Sequence, residues 1–382
     1  MRAKRYLLNR VSAMFVAALL LGLHASASAQ FYALTDLGIG TFGQAINNAG
    51  QVAGWIDPLN LNNPSATVWS GISSNTLGTL GGSWNVALDN NNRGQVVGAT
   101  REPGGNNAQI VATIWNGSTP TALGSLGGQA PYANSVAWGV NDSGRVVGWS
   151  STSETNQGTR ATVWNGTVPS VLAGLAGQDS FGQAWDINNS GQVVGFSCTQ
   201  IDCATGVHAT IWNGSTATAL ATVGDGQSNA QAINDRGDVA GYSFLDGMTV
   251  ATVWSHGSMI ALEGLGGTSS SAMDINNRGQ VVGSSTTFDS ATNHNNGSFA
   301  TLWDGTSVIN LNSALDPTIA AMMTLTEAYA INERGQIVAL GLAADGYHTY
   351  VLTPVPEPST SALLMAGLCV VGFVLRRRKV AH

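Results

Sequence analysis

QAWDINNSGQVVGFS, residues 183–197, is the stretch whose reading decides the fold. Two short runs rich in apolar residues flank Asn188-Asn189-Ser190-Gly191. Asn and Gly tolerate the left-handed backbone of a tight hairpin, so a type I turn with a Gly bulge should join strands at 183–187 and 192–197. Val193 and Val194 are adjacent apolar residues, as in a strand packed on both faces. Downstream, Ala209-Thr210-Ile211-Trp212 predicts a third strand, and Asn213-Gly214 turns into a fourth at 217–222.

The same unit recurs along the chain. Its turn reads NNAGQVAG from Asn47, NNRGQVVG from Asn91, NDSGRVVG from Asn141, NNSGQVVG from Asn188, NDRGDVAG from Asn234, NNRGQVVG from Asn276 and NERGQIVA from Asn332. The seventh copy puts Ala339 where the others have Gly. A second sub-motif, T-[VIL]-W, ends at Trp69, Trp115, Trp164, Trp212, Trp254 and Trp303, and its seventh place is expected at Thr349-Tyr350-Val351. A third, L-G-x-L-G-G, is clear at Leu77 and Leu123 and looser elsewhere. Successive Trp residues lie 46, 49, 48, 42 and 49 apart. That period suits four-stranded propeller blades of about 40–50 residues, whereas a β-helix would need two coils per repeat. The chain opens on Phe31-Tyr32-Ala33-Leu34-Thr35-Asp36-Leu37, a fourth-type strand with no blade before it, and its last strand is of the third type. The expectation is an all-β, seven-bladed β-propeller of four-stranded blades, closed by the N-terminal strand (32–37) lying beside 348–352. Closure removes exposed edges.

The two ends of the chain differ from this body. Arg2, Lys4, Arg5 and Arg10 precede an apolar run from Val11 to Leu23, and Ala27-Ser28-Ala29 is an A-x-A site. This is the pattern of a secretory signal peptide over 1–29, cut between Ala29 and Gln30. At the other end, Pro356-Glu357-Pro358 leads into an apolar run, helical over about 361–375, and then Arg376-Arg377-Arg378-Lys379. Fourteen uncharged residues (362–375) span about 21 Å as a helix, short of the roughly 30 Å hydrocarbon core. A membrane segment fits better than a buried helix, because no polar face exists. The prolines deny the preceding segment helix and sheet bonds, leaving an extended backbone for an enzyme to hold. The tail (354–382) resembles the PEP-CTERM sorting signal of Gram-negative bacteria. That resemblance implies an exosortase-type processing enzyme as partner, recognition of Pro356, Glu357 and Pro358, delivery to the cell envelope, cell surface or extracellular space, and transient membrane attachment through the C-terminal helix.

Between the ends, the body at 30–353 carries seven arginines, no lysine and 21 acids. Nucleic acid is therefore not expected as a partner, since phosphate binding needs a cationic face. Cys198 and Cys203 are expected to form a local disulfide in an exported protein, with a free pair as the alternative. The repeats resemble HAF-type extracellular repeats, on the strength of the L-G-x-L-G-G and A-I-N-N-x-G-Q-V-V-G stretches and of Val207-His208-Ala209-Thr210-Ile211-Trp212. This likeness implies architecture and location.

Candidate chemistry is sparse. Asp186-Ile187-Asn188-Asn189-Ser190-Gly191 has the start of a calcium loop, and Asp89 and Asp274 open similar stretches, but Ser197 stands at the twelfth position, where a bidentate acid is required. Hairpin geometry accounts for the same residues, so Ca²⁺ is the lesser expectation and no cofactor or metal site is assigned. The repeating Trp residues are expected to pack between blades. The non-repeating Trp55, Trp84, Trp138, Trp149 and Trp185 are better candidates for a ligand surface, though core positions are the default. His208, His256, His294 and His348 fall in different blades. No nucleophile elbow, zinc motif or acid pair is evident among Glu102, Glu154, Glu263, Glu327 and Glu333. Irregular loops at 58–64, 101–109, 288–298 and 316–326 remain as places for specificity. The expected role is non-catalytic binding or scaffolding in an exopolysaccharide or biofilm layer, with extracellular polysaccharide or surface proteins as partners. The alternative is an extracellular glycan hydrolase or lyase with loop-borne carboxylates meeting at the channel.

Overall fold

In the computed structural model, which describes residues 32–355 apart from 58–62, 106–107, 128–132, 153–157, 201–202, 204–205, 225 and 290–293, the fourth repeat forms the hairpin its residues predict. Gly191 donates to the Asn188 carbonyl at 3.0 Å and adopts φ +85°, a left-handed backbone that glycine enters without steric cost. The strands run Gly182–Ile187, Gln192–Cys198, Val207–Asn213 and Thr216–Ala219. The fourth ends earlier than 222, because Leu220 turns into the core between blades 4 and 5.

Seven antiparallel four-stranded sheets repeat this pattern, making an all-β, seven-bladed propeller. Six are built from consecutive strands over 41–76, 85–122, 135–171, 182–219, 228–261 and 270–310. The seventh joins Met323–Ile331, Ile337–Ala343 and Gly346–Pro354 to the N-terminal strand Tyr32–Ile39. Its register pairs Tyr32 with Pro354, Leu34 with Leu352 and Asp36 with Tyr350. The first and last strands thus complete one blade together, as the order of sub-motifs predicts.

The apolar core lies between blades. Ala53 and Leu77 of blade 1 meet Ala87, Val96 and Trp115 of blade 2, and corresponding clusters hold Trp164, Trp212, Trp254 and Trp303. These rings are 0–5% exposed. Five of them also donate an indole N–H to the carbonyl of the residue that follows the Leu of the preceding L-G stretch: Trp115 to Gly78 at 2.8 Å, Trp164 to Gly124, Trp212 to Ala173, Trp254 to Ala221 and Trp303 to Glu263. The two sub-motifs are therefore halves of one contact.

Blade 7 departs from the expected alignment by one residue. Ile337 pairs with Leu352, as Val193 pairs with Trp212. Tyr350-Val351-Leu352, not 349–351, occupies the T-[VIL]-W place, and fully buried Leu352 substitutes for the Trp. Ala339 has a matching cause. In the other blades a Cβ at the second-strand Gly would fall about 2 Å from a first-strand carbonyl, for example 2.0 Å from Val86 O at Gly98. The first strand of blade 7 shifts register twice, and there Ala339 faces Ala328.

Two of the irregular segments are ordered. Within 288–298, Phe288 pairs with Asn295 in a hairpin that prolongs blade 6. Within 316–326 a short helix, Pro317–Ala320, is capped by the Asp316 carboxylate. Among the described residues no helix is long and apolar enough to cross a membrane. The apolar run at 361–375 lies outside them.

Candidate functional site: an acid-lined axial channel

The seven hairpin turns converge on the propeller axis, where two closed circuits of hydrogen bonds join them. In the inner circuit each turn-opening Asn donates its Nδ2 to the main-chain carbonyl of the equivalent Asn in the next blade: Asn47 to Asn91, Asn91 to Asn141, Asn141 to Asn188, Asn188 to Asn234, Asn234 to Asn276, Asn276 to Asn332, and Asn332 back to Asn47 at 3.0 Å. All seven are buried, at 2–5% exposure. The Oδ1 of each also accepts from its own turn, for example from the N–H groups of Ala49 and Gln51 to Asn47. A buried carboxamide must be satisfied at both ends, and this one is.

The outer circuit uses the next residue. The backbone N–H of Asn48 donates to the Asn92 side chain, Asn92 to Asp142, Asp142 to Asn189, Asn189 to Asp235, Asp235 to Asn277, Asn277 to Glu333 and Glu333 to Asn48, at 2.7–3.0 Å. The second place of the motif admits Asn, Asp or Glu because it needs a side-chain oxygen. This circuit rims a cavity of about 180 Å³.

Also lining the channel, the residue two places before the turn-opening Asn alternates. Blades 2, 4 and 6 carry Asp89, Asp186 and Asp274, and the odd blades carry Ala45, Gly139, Ala232 and Ala330. Each aspartate accepts from the N–H of its own next residue and from one in the following blade: Val140 for Asp89 at 2.8 Å, Ile233 for Asp186 at 2.8 Å and Ile331 for Asp274 at 2.7 Å. The motif that suggested a calcium loop is therefore an interblade strap. Burial pushes the carboxyls up, to about 7 for Asp89, about 6 for Asp186 and about 7 for Asp274. Repulsion from Asp186 adds to the rise at Asp89 and Asp274.

The same aspartates border a second cavity of about 180 Å³. Its wall is made by bulges. In every first strand a residue is skipped in the pairing at the same place (blade 7 has a second skip, at Thr326), and a bulge re-aims that side chain. The skipped residues, Gln44, Leu88, Trp138, Trp185, Gln231, Met273 and Tyr329, all line the cavity. Trp138 and Trp185 stack with centroids 4.9 Å apart and planes 25° from parallel. The indole nitrogen of each is buried and has no hydrogen-bond partner among the described residues.

Other singled-out residues lie elsewhere. Trp55 stacks on Phe42 at 5.6 Å, and the Arg101 guanidinium sits 5.3 Å over Trp84. Cys198 and Cys203 have Cα atoms 5.3 Å apart and their sulfurs at bonding distance. Ala29, Gln30, Pro356, Glu357 and Pro358 fall outside the described residues. Among the described residues no three His, Cys, Asp or Glu side chains are grouped to hold a metal ion. His348 has a structural setting. Its Nδ1 lies 3.0 Å from the Asp36 carboxylate on the N-terminal strand, and its Nε2 lies 3.1 Å from Asp345.

Comparison with known proteins adds one segment. Residues 354–379 match the PEP-CTERM protein-sorting motif, which implies export to the envelope or surface of a Gram-negative bacterium and processing by an exosortase. No curated protein matches the chain. Among solved structures, a hypothetical protein from Leishmania major is similar at 9% identity, over 84% of this chain and 92% of that one, with a TM-score of 0.26. The fold assignment rests on the strand pairing instead.

Proposed function

We propose that the chain is a HAF-type surface protein that binds extracellular polysaccharide without transforming it, with the axial channel as its binding site. The observation that carries this is one cavity that holds a stacked Trp138–Trp185 platform, the carboxamides of Gln44 and Gln231 and the carboxyls of Asp89, Asp186 and Asp274. Aromatic faces stack on the apolar faces of sugar rings, and planar polar groups satisfy hydroxyls. Both oxygens of Asp89, Asp186 and Asp274 accept backbone N–H groups, which supports a holding role over proton transfer. The signal peptide and the sorting tail deliver the propeller, and the tail anchors it until cut. Scaffolding in an exopolysaccharide or biofilm layer follows from that placement.

One observation favours a second proposal. Three half-buried carboxyls from different blades, pushed up to about 6–7, titrate where a general acid works. Glycan-array binding by the purified full-length chain, run beside an assay for reducing-end release, separates the two. Binding without breakdown is expected. Turnover abolished by Asp186→Asn would replace the binding role with a hydrolase, and release of unsaturated products would indicate a lyase.

A further inference from the structure

The inner cavity combines three features that one class of ligand would satisfy together. Asp89, Asp186 and Asp274 border it, and no Arg or Lys lines it or the outer cavity. Asp142, Asp235 and Glu333 line the adjoining cavity. Trp138 and Trp185 supply aromatic surface. Their indole N–H groups are buried donors without acceptors among the described residues, and such a donor costs about 1–3 kcal/mol while it stays unpaired.

A ligand that answers all three must present an apolar face, oxygen acceptors and positive charge. A neutral sugar supplies the first two and leaves the carboxyls uncompensated. A metal ion supplies only charge. A sugar carrying a free amine supplies all three: its ring stacks on an indole, its hydroxyl oxygens accept from Nε1 once the indole turns that shielded nitrogen into the cavity, and its ammonium lies among the carboxylates, where indole faces also favour it. We infer that the channel takes an amino sugar with an unacetylated amine, as a free sugar or a chain end. This rests on the glycan-binding proposal and narrows it. The raised carboxyls are consistent with negative charge that no protein cation balances.

Isothermal titration of the full-length chain with glucosamine, N-acetylglucosamine and glucose near neutral pH tests it. The expected result is saturable glucosamine binding, at least about tenfold tighter than the other two. Trp185→Phe, which keeps a ring and removes the donor, should weaken it, and Trp185→Leu should weaken it further. Asp186→Asn should bring glucosamine close to glucose. Unchanged circular dichroism and melting would show that each variant still folds. Equal binding of the three sugars, or glucosamine binding indifferent to both Trp185→Leu and Asp186→Asn, would overturn the inference. Neutral glycans binding on the array while glucosamine is silent would overturn it and leave the broader proposal standing. Silence of both would overturn both.

Discussion

The asparagines that open the turns each hold two blades: Oδ1 shapes the local turn, and Nδ2 reaches the next blade. Removing one breaks both. Asn332→Ala cuts the bond to the Asn47 carbonyl, which keeps only its Gly50 N–H donor, and strands two turn N–H groups, and should cost about 2–3 kcal/mol, read as a lower denaturant midpoint. Trp212→Ala should cost about 3–5 kcal/mol by the same measurement, since it opens a cavity and frees the Ala173 carbonyl. The half-buried channel aspartates set a pH dependence. Their folded pKa values, about 6–7, exceed the ordinary value of 3.8, so the folded state holds more protons between about pH 4 and 7. Stability should therefore fall as pH rises through that window, and Asp89→Asn or Asp274→Asn should flatten the fall in a melting series. The turn residues were legible from repetition alone. The role of the second position was not, because its partner lies in the next blade, 42–56 residues away, or 285 where blade 7 meets blade 1. The bulge column did leave a signal: Gln44, Leu88, Trp138, Trp185, Gln231, Met273 and Tyr329 vary freely between a preceding Gly or Ala and a following Ala, Gly or Asp. Reading Trp138 and Trp185 as core by default missed that, since a bulge reverses the side a strand residue faces.

Strands carry the next level of control. Period and turn chemistry place most of them, but pairing register lies beyond the sequence pattern, as the one-residue displacement in blade 7 shows: Thr349-Tyr350-Val351 looks like T-[VIL]-W until Leu352 is seen to fill the Trp site. The closing strand is fastened at its far end by His348, held between Asp36 and Asp345. Burial lowers the His348 pKa, yet the hydrogen bonds and charges of Asp36 and then Asp345 outweigh it and raise the value above 6.5. A raised histidine stabilises fully below its unfolded pKa and loses that contribution as pH rises through its folded value. The N-terminal strand should thus exchange its amide protons faster, relative to the rest of the sheet, as pH rises past about 6.5. His348→Phe should abolish the added sensitivity once intrinsic exchange rates are divided out. Equal pH responses in the two proteins would remove His348 from this role.

At the scale of the whole molecule, the propeller and the sorting motif depend on different stretches of the chain. Replacing Pro356 and Pro358 by Ala should leave the tail attached, giving a heavier surface protein by mass spectrometry with unchanged melting, because neither residue belongs to a blade. The propeller itself depends on a ring that shuts. Seven blades share two hydrogen-bond circuits, and each circuit is complete only if blade 7 meets blade 1, which the N-terminal strand secures. Ala33 and Thr353 are direct partners across that seam. Cysteines at both positions, Ala33→Cys with Thr353→Cys, should form a disulfide within one chain under mild oxidation, seen as a single cross-linked peptide pair in a monomer. Failure to cross-link, or cross-links only between chains, would mean that the repeats form an open array and that the closed channel does not exist.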